Sequence, residues 1–353
     1  SITVSDCTLD PVFNSATTEY SCTVKNNIST VNVNATATSS KSKVRGLGAK
    51  DLVEGKNTLP IRVIAEDGSE KIYNVNVTRK GGVTSLKNEI MKNTVVTANP
   101  TLTTSSNNTS DASGLYKSTA TNTGKPTYYF RGNVTNNYVS FAGFTWRIVR
   151  INEDGTIRIV KQDVINTEYK FNSKYNNYSY MYYSNSEAKT TLESWYQTNI
   201  GSKSNLAKNV ASGNYYCEQA KVKSSINYTS ANAKMALDSS YTPDFKCETD
   251  GNGKGQVNAS VGLLTYDEVV YAGGGYRGES NSDYHLFNYN YCWTMSPAGF
   301  SGSNSYAWYV APIGYLNYGS VNVTIRLRPV LILNADTLVT GTGTSSDPYV
   351  VAD

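Results

Sequence analysis

The sequence predicts an all-β sandwich at its amino end followed by a larger α+β domain, and three observations carry that prediction. Residues 1–80 read as short alternating strands separated by turn residues. Residues 125–353 mix strand-forming runs with two helix-like stretches. At 353 residues the chain exceeds one compact core and is long enough for two or three domains, each able to bury its own.

Within the first region the expected strands are residues 2–9, 19–24, 31–37, 58–65 and 71–78. The clearest unit is the hairpin around Asp67-Gly68, a dipeptide that supplies the positive φ angles of a tight turn. After it Tyr73, Val75 and Val77 alternate toward one face, which should be the core. The runs Cys7-Thr8-Leu9-Asp10-Pro11, Thr18-Glu19-Tyr20, Ala65-Glu66-Asp67-Gly68 and Tyr73-Asn74-Val75-Asn76-Val77 resemble the cadherin-like (Ig-like) β-sandwich repeats of bacterial surface proteins. That resemblance covers nearly all of residues 1–80 and implies a spacer, with recognition elsewhere in the chain.

Lys80-Gly81-Gly82 breaks the strand pattern, and residues 81–124 read as a helix followed by a connector rich in Ser, Thr and Asn. The helix is expected over residues 83–93, with Ser85 as its cap before Leu86, Ile90 and Met91.

In residues 125–353, Val139 and Phe141 precede Trp146, Ile148 and Val149 as a strand pair, and a turn at Asp154-Gly155 leads into a further strand at 156–160. Residues 186–199 carry Leu192, Trp195 and Tyr196 on one side of a helix. Thr265 with Glu268 three residues later marks a short capped helix at 264–269. The stretch from Tyr128-Tyr129-Phe130-Arg131-Gly132 to Phe144-Thr145-Trp146-Arg147 resembles a family of exported proteins in Firmicutes and their relatives. Farther on come Trp293-Thr294-Met295-Ser296, Ala307-Trp308, Gly314 and Arg328-Pro329-Val330 in that order. This order is similar to bacterial and phage C-type-lectin-like domains, including the sulfatase-modifying-factor-like branch. The resemblances together imply an all-β Ig-like sandwich followed by an α+β C-type-lectin-like domain.

Only 17% of the residues are charged, whereas 28 are Tyr, a composition too aromatic for disorder and too polar for a membrane span. The net charge of +4 is thinly spread, and the one small basic cluster, Lys41, Lys43 and Arg45, is too short to track a phosphate backbone, so no nucleic-acid partner is expected. No run reaches the roughly 20 apolar residues of a transmembrane helix. Neither the start nor residues 348–353 carry an export signal or sortase-type anchor, so both are expected outside this sequence.

The five cysteines fall into two groups: Cys7 and Cys22 in the first region, and Cys217, Cys247 and Cys292 in the last. With no CxxC and with His285 as the single histidine, disulfides are the better reading than a metal site. A Cys7–Cys22 bridge would close a loop of about 15 residues and stabilise the fold by roughly 3 kcal/mol, which fits an oxidising, extracellular location. The favoured second bridge joins Cys217 to Cys247 and leaves Cys292 buried beside Trp293, although spacing also permits a bridge to Cys292.

Trp146, Trp195, Trp293 and Trp308 occur in regular patterns and are expected in the core. Residues 284–324 differ, because Tyr, Asn, Ser and Gly recur there in expected turns, as in antibody paratopes. The candidate ligand-binding residues are Tyr284, Tyr289, Phe300, Asn304, Tyr306, Tyr309, Tyr315, Asn317, Tyr318 and Asn322. The lectin-like resemblance implies a ligand face in the same place. The Glu-Pro-Asn, Gln-Pro-Asp and Trp-Asn-Asp motifs of calcium-dependent lectins are missing, so no calcium, other metal or cofactor is expected. Residues 248–253 read as a turn.

No catalytic residues are expected. The formylglycine-generating relatives use a pair of reactive cysteines, which Cys292 alone does not reproduce. His285 near Asp283 lacks a nucleophile context and reads as an exposed loop residue, and Gly273-Gly274-Gly275 reads as a flexible turn. The sequence thus points to an adhesin-like, non-enzymatic protein of the bacterial cell surface that binds an extracellular protein or glycan. The alternative is a self-associating filament subunit joined through strand edges such as Ile2-Thr3-Val4.

Overall fold

The computed structural model describes residues 1–102, 111–221, 241–250, 253–275 and 280–352. They divide into two compact units, Ser1–Val83 and Thr84–Asp353.

In the first unit a three-stranded sheet runs in the order Ile2–Val4, Thr30–Ala35, Gly48–Asp51. A four-stranded sheet runs Glu19–Val24, Glu70–Arg79, Gly55–Ile64, Lys43–Arg45. Alternation places Tyr20, Cys22 and Val24 inward on one strand and Tyr73, Val75 and Val77 inward on its parallel partner, and Val31, Val33 and Ile61 belong to the same core. Cys7 and Cys22 are bridged, with Cα atoms 5.7 Å apart. The strand expected over residues 2–9 stops at Val4, because the chain turns at Asp6, whose φ is 56°. The hairpin turn also differs from expectation, since only Gly68 has positive φ. Gly68 N–H donates to the Ala65 carbonyl and Ala65 N–H to the Ser69 carbonyl, so the connection is a type I turn closed by a bulge. Lys43 and Arg45 of the basic cluster lie on the short edge strand Lys43–Arg45, where charge discourages further pairing.

The second unit is also mostly β. Its larger sheet follows the order Val330–Leu333, Ile157–Lys161, Phe144–Ile151, Tyr138–Phe141, Tyr349–Val351, Leu338–Thr340, Thr84–Ser85, and Thr127–Arg131 and Gly114–Ser118 branch from Phe144–Ile151. A five-stranded sheet runs Glu168–Lys170, Thr324–Arg326, Cys292–Ser301, Asn304–Val310, Leu316–Ser320. One continuous apolar core takes side chains from both sheets and from the helices Leu86–Met91, Glu187–Tyr196 and Tyr266–Ala272. Trp146, Trp293 and Trp308 are fully buried in it, and Trp195 packs half-buried on Phe144 and Trp146.

Residues 84–124 are not a plain connector. Thr84–Ser85 pairs with Leu338–Thr340, and Gly114–Ser118 pairs along the whole of Thr127–Arg131, so both ends of this stretch belong to the larger sheet. The helix Leu86–Met91 lies where expected, but the Ser85 side chain makes no capping bond. The predicted capping box does form: Thr265 Oγ1 accepts from Glu268 N–H, and the Glu268 carboxylate accepts from Thr265 N–H. Gly273, with φ 116°, ends that helix, and a Cβ on Gly274 would lie 2.5 Å from Val269 Cγ1, so the expected flexible turn is instead a packed helix terminus.

Candidate functional site

The meander Cys292–Ser301, Asn304–Val310, Leu316–Ser320 carries most of the Tyr-rich segment, and its register decides which side chains meet. Trp308 lies opposite Tyr318 and Tyr306 opposite Ser320, whereas Tyr309 lies between Trp293 and Asn317. Because side chains alternate across a strand, Tyr306, Trp308 and Tyr318 occupy one face, and Trp293, Tyr309 and Asn317 the other. On the first face the rings of Tyr306 and Trp308 lie 6.0 and 5.4 Å from Tyr318, and Trp308 packs edge-on against Tyr266 at 4.9 Å. That face is a half-buried lid over the core.

The second face is covered at one end and open at the other. Phe171 packs on Trp293 at 5.6 Å, and Ser305 Oγ donates to the Asn177 carbonyl. Phe300 is buried nearby among Met181 and Tyr182. At the open end Tyr291, 50% exposed, stands edge-on to Tyr309 at 5.6 Å. Two residues earlier Tyr289 is 82% exposed and rests against Phe287 at 4.7 Å, and a Cβ on Gly314 would touch that same Phe287 ring, beside the half-exposed Ile313. Arg326 donates to Asn290 Oδ1 between the two tyrosines, and its backbone N–H donates to the Tyr291 carbonyl at 3.2 Å.

The structure therefore brings some of the ten predicted ligand-binding residues together and separates others. Tyr284 and Phe300 are core residues, with Tyr284 Oη donating to the Gly314 carbonyl at 3.2 Å. Tyr306 and Tyr318 share one face, and Tyr309 and Asn317 the opposite one. Asn304, Tyr315 and Asn322 are half-buried in or beside turns, with Asn322 accepting from Ser320 Oγ. Tyr289 is the most exposed large side chain of the set. Tyr291 and Ile313, outside the ten, complete the rim, and the signal for Tyr291 was its position two residues before Trp293, on the face of Tyr309.

Residues 1–80 match the cadherin-like beta sandwich domain. The cadherin-like match covers the bridged sandwich of the first unit and ends before the second begins. No curated protein and no solved structure gives a match to the chain.

The remaining cysteines pair as favoured: Cys217 is bridged to Cys247, Cα to Cα 5.7 Å, and Cys292 is free and buried. Burial pushes the Cys292 thiol up to about 11, so it carries little thiolate at neutral pH. His285 is not an exposed loop residue. It is 3% exposed, its backbone N–H donates to the Gly132 carbonyl, and burial together with the Arg147 charge holds its imidazole well below the usual range, hence neutral. Asp283, two residues away, points to solvent, so the two do not form an acid–base pair.

Two buried carboxylates organise the side of this unit that carries the Cys217–Cys247 bridge. Glu268 is shared by Arg150 Nε at 3.2 Å and Arg158 Nε at 2.5 Å. Asp267 accepts from Tyr241 Oη at 2.5 Å and from Asp244 N–H at 3.1 Å, and burial pushes its carboxyl up to about 6. In the segment 248–253 the Gly253 N–H donates to the Asp250 carbonyl as in a turn, Tyr182 Oη donates to the Asp250 carboxylate, and residues 251–252 lie outside the described residues. Among the described residues no three His, Cys, Asp or Glu side chains are grouped to hold a metal ion, and no helix is long and apolar enough to cross a membrane.

Proposed function

We propose that this chain is a non-enzymatic binding protein of the bacterial cell surface. In this reading the cadherin-like sandwich is a spacer, and the second unit is a C-type-lectin-like domain that engages a protein or glycan without calcium. The observation that carries the reading is the open rim of Tyr289, Tyr291 and Tyr309 at one end of the five-stranded sheet. Tyrosines held by ring contacts supply rigid contact area at low entropic cost, and Asn290, Asn317 and Arg326 beside them supply hydrogen-bonding groups. Two disulfides fit an oxidising, extracellular setting. The succession Trp293-Thr294, Ala307-Trp308, Gly314, Arg328-Pro329-Val330 supports the lectin-like assignment.

Binding of the whole chain to glycan and protein arrays tests this. Tyr289→Ala with Tyr291→Ala should abolish a positive signal and leave the melting temperature within about 4 °C, the range two surface substitutions span in a domain of this size. Tyr306→Ala with Tyr318→Ala, on the opposite face, should spare it. A signal indifferent to the first pair would refute the rim as the site. The filament reading draws on the edge position of Ile2–Val4 in the three-stranded sheet, where Val4 also bridges Cys7. Ordered fibres by negative stain, with no array partner, would replace the binding reading with that one.

A further inference from the structure

A cavity of about 370 Å³ in the second unit shares no lining residue with the tyrosine rim. Its wall is made by residues 140–143 at the end of Tyr138–Phe141, by residues 350–352 at the end of the parallel partner strand, and by Lys203, Leu206 and Asn209. Ser140 pairs with Val350 in that ladder, and alternation turns both away from the core, so Val350 is 40% exposed while Phe141 and Val351 are buried. The turn in this wall has φ 54° at Ala142 and 78° at Gly143, the two positive angles of a tight hairpin between Phe141 and Phe144. Alanine is disfavoured at the first of these positions, where Asn or Gly lowers the steric cost, and it lines the cavity.

Lys203 is the one charged residue in the described wall, and it is exposed and forms no ion pair among the described residues. Its flexible four-carbon stem, held by no partner, lets the ammonium swing over the cavity mouth. Ser140 Oγ and Asn209 Oδ1 likewise make no hydrogen bond among the described residues, and Asn209 Nδ2 donates only to the Asn205 carbonyl at 3.3 Å. Polar groups with spare capacity thus share a wall with Phe141, Leu206 and Val350. A single cation matches a ligand of one negative charge, and the apolar wall matches an apolar body attached to it. The volume lies in the range of small-molecule sites and holds about a dozen non-hydrogen atoms, at the roughly 30 Å³ a water takes in the liquid. We propose that this cavity binds a small free monocarboxylate with an apolar tail, of a size between hexanoate and decanoate. The carboxylate sits on Lys203 and Ser140, and the tail runs along Phe141, Leu206 and Val350.

Octanoate titrated into the whole, nitrogen-15-labelled chain tests the site through its amide shifts. Saturable shifts are expected at Ala142, Gly143, Leu206 and Ala352, with a dissociation constant on the order of 0.1–1 mM, as suits one ion pair and a short tail in an open site. Octanol, equal in tail but uncharged, should bind about tenfold more weakly. Lys203→Gln should lower the octanoate affinity about tenfold and erase the preference over octanol, and Lys203→Arg should retain both. Because Lys203 is exposed, neither variant should alter the fold. Tyr289→Ala with Tyr291→Ala should leave the titration unchanged, which separates this site from the rim. The absence of saturable shifts up to about 20 mM octanoate, shifts confined to other residues, or equal affinity for octanol would overturn the proposal. So would tighter binding of a short peptide ending in a free leucine carboxylate, which would assign the site to a chain terminus instead.

Discussion

Replacing Asp267 by Asn should change how stability depends on pH. Asp267 is 5% exposed in the first turn of the helix Tyr266–Ala272, and burial pushes its carboxyl from 3.8 to about 6. The groups that face it are Tyr241, whose hydroxyl it accepts, and Asp244, whose backbone it accepts and whose carboxylate pairs with Lys221 at 2.7 Å. Beyond them stands the Arg150–Glu268–Arg158 cluster. Between pH 3.8 and 6 the folded chain retains a proton that the unfolded chain has lost, so stability falls as pH rises through this window. Above it the loss is constant, and about two pH units at 1.36 kcal/mol each put it at about 3 kcal/mol. Asn keeps the acceptor oxygen without the charge. Asp267→Asn should therefore equal the parent near pH 3.5 and exceed it by up to about 3 kcal/mol at pH 7.5, as read from urea unfolding monitored at several pH values. Carboxyls with lowered values, Asp111 and Glu153 among them, act with the opposite sign but cancel in the difference between the two proteins. Parallel stability curves from pH 3.5 to 7.5 would refute the reasoning.

Three further outcomes follow from the packing. Glu268→Gln preserves the capping box but leaves Arg150 and Arg158 without a charge partner, and should cost about 3–5 kcal/mol in denaturant unfolding of the second unit. Cys7→Ser with Cys22→Ser opens a loop of 15 residues, and calorimetry should assign the sandwich a loss of about 3 kcal/mol while the second transition stays in place. Gly314→Ala would set a Cβ 1.6 Å from the Asn281 carbonyl oxygen at a φ of 85°, so the second unit should lose more than about 3 kcal/mol by the same calorimetry.

The sandwich was legible where apolar residues alternate, because a half-buried strand writes its burial directly into the sequence. Glu19–Val24 and Glu70–Arg79 were found for that reason. Lys43–Arg45 and Gly48–Asp51 were not, since each is short and almost wholly polar, and their pairing with Gly55–Ile64 and Thr30–Ala35 defines them as strands. In the stretch 81–124, read as a helix and connector, the two short strands were missed for a related cause. Its composition is that of a linker, yet Thr84–Ser85 gains its partner from Leu338–Thr340, about 250 residues away, and no local pattern encodes such a contact. Helix signals proved more transferable: Thr265 and Glu268 engage each other across three residues, and that geometry needs nothing from the rest of the chain.

The Tyr-rich segment shows why composition alone does not define a surface. A run such as Tyr306-Ala307-Trp308-Tyr309 sends successive side chains to opposite faces, so residues adjacent in sequence cannot form one patch. Which face remains open is then decided by distant partners: Tyr266 caps the side of Trp308, and Phe171 caps one end of the side of Trp293. His285 follows the same logic, since polar neighbours such as Ser282 and Asp283 made it look exposed, while Gly132 and Arg147 from elsewhere in the chain enclose it. What stays uncovered is the lead-in to the strand Cys292–Ser301, where Tyr289 and Tyr291 precede the first buried residue of the sheet and little from other elements reaches them. Tyr289 and Tyr291, left exposed at this sheet margin and packed against Phe287 and Tyr309, are therefore more accessible to solvent than the tyrosines inside the meander.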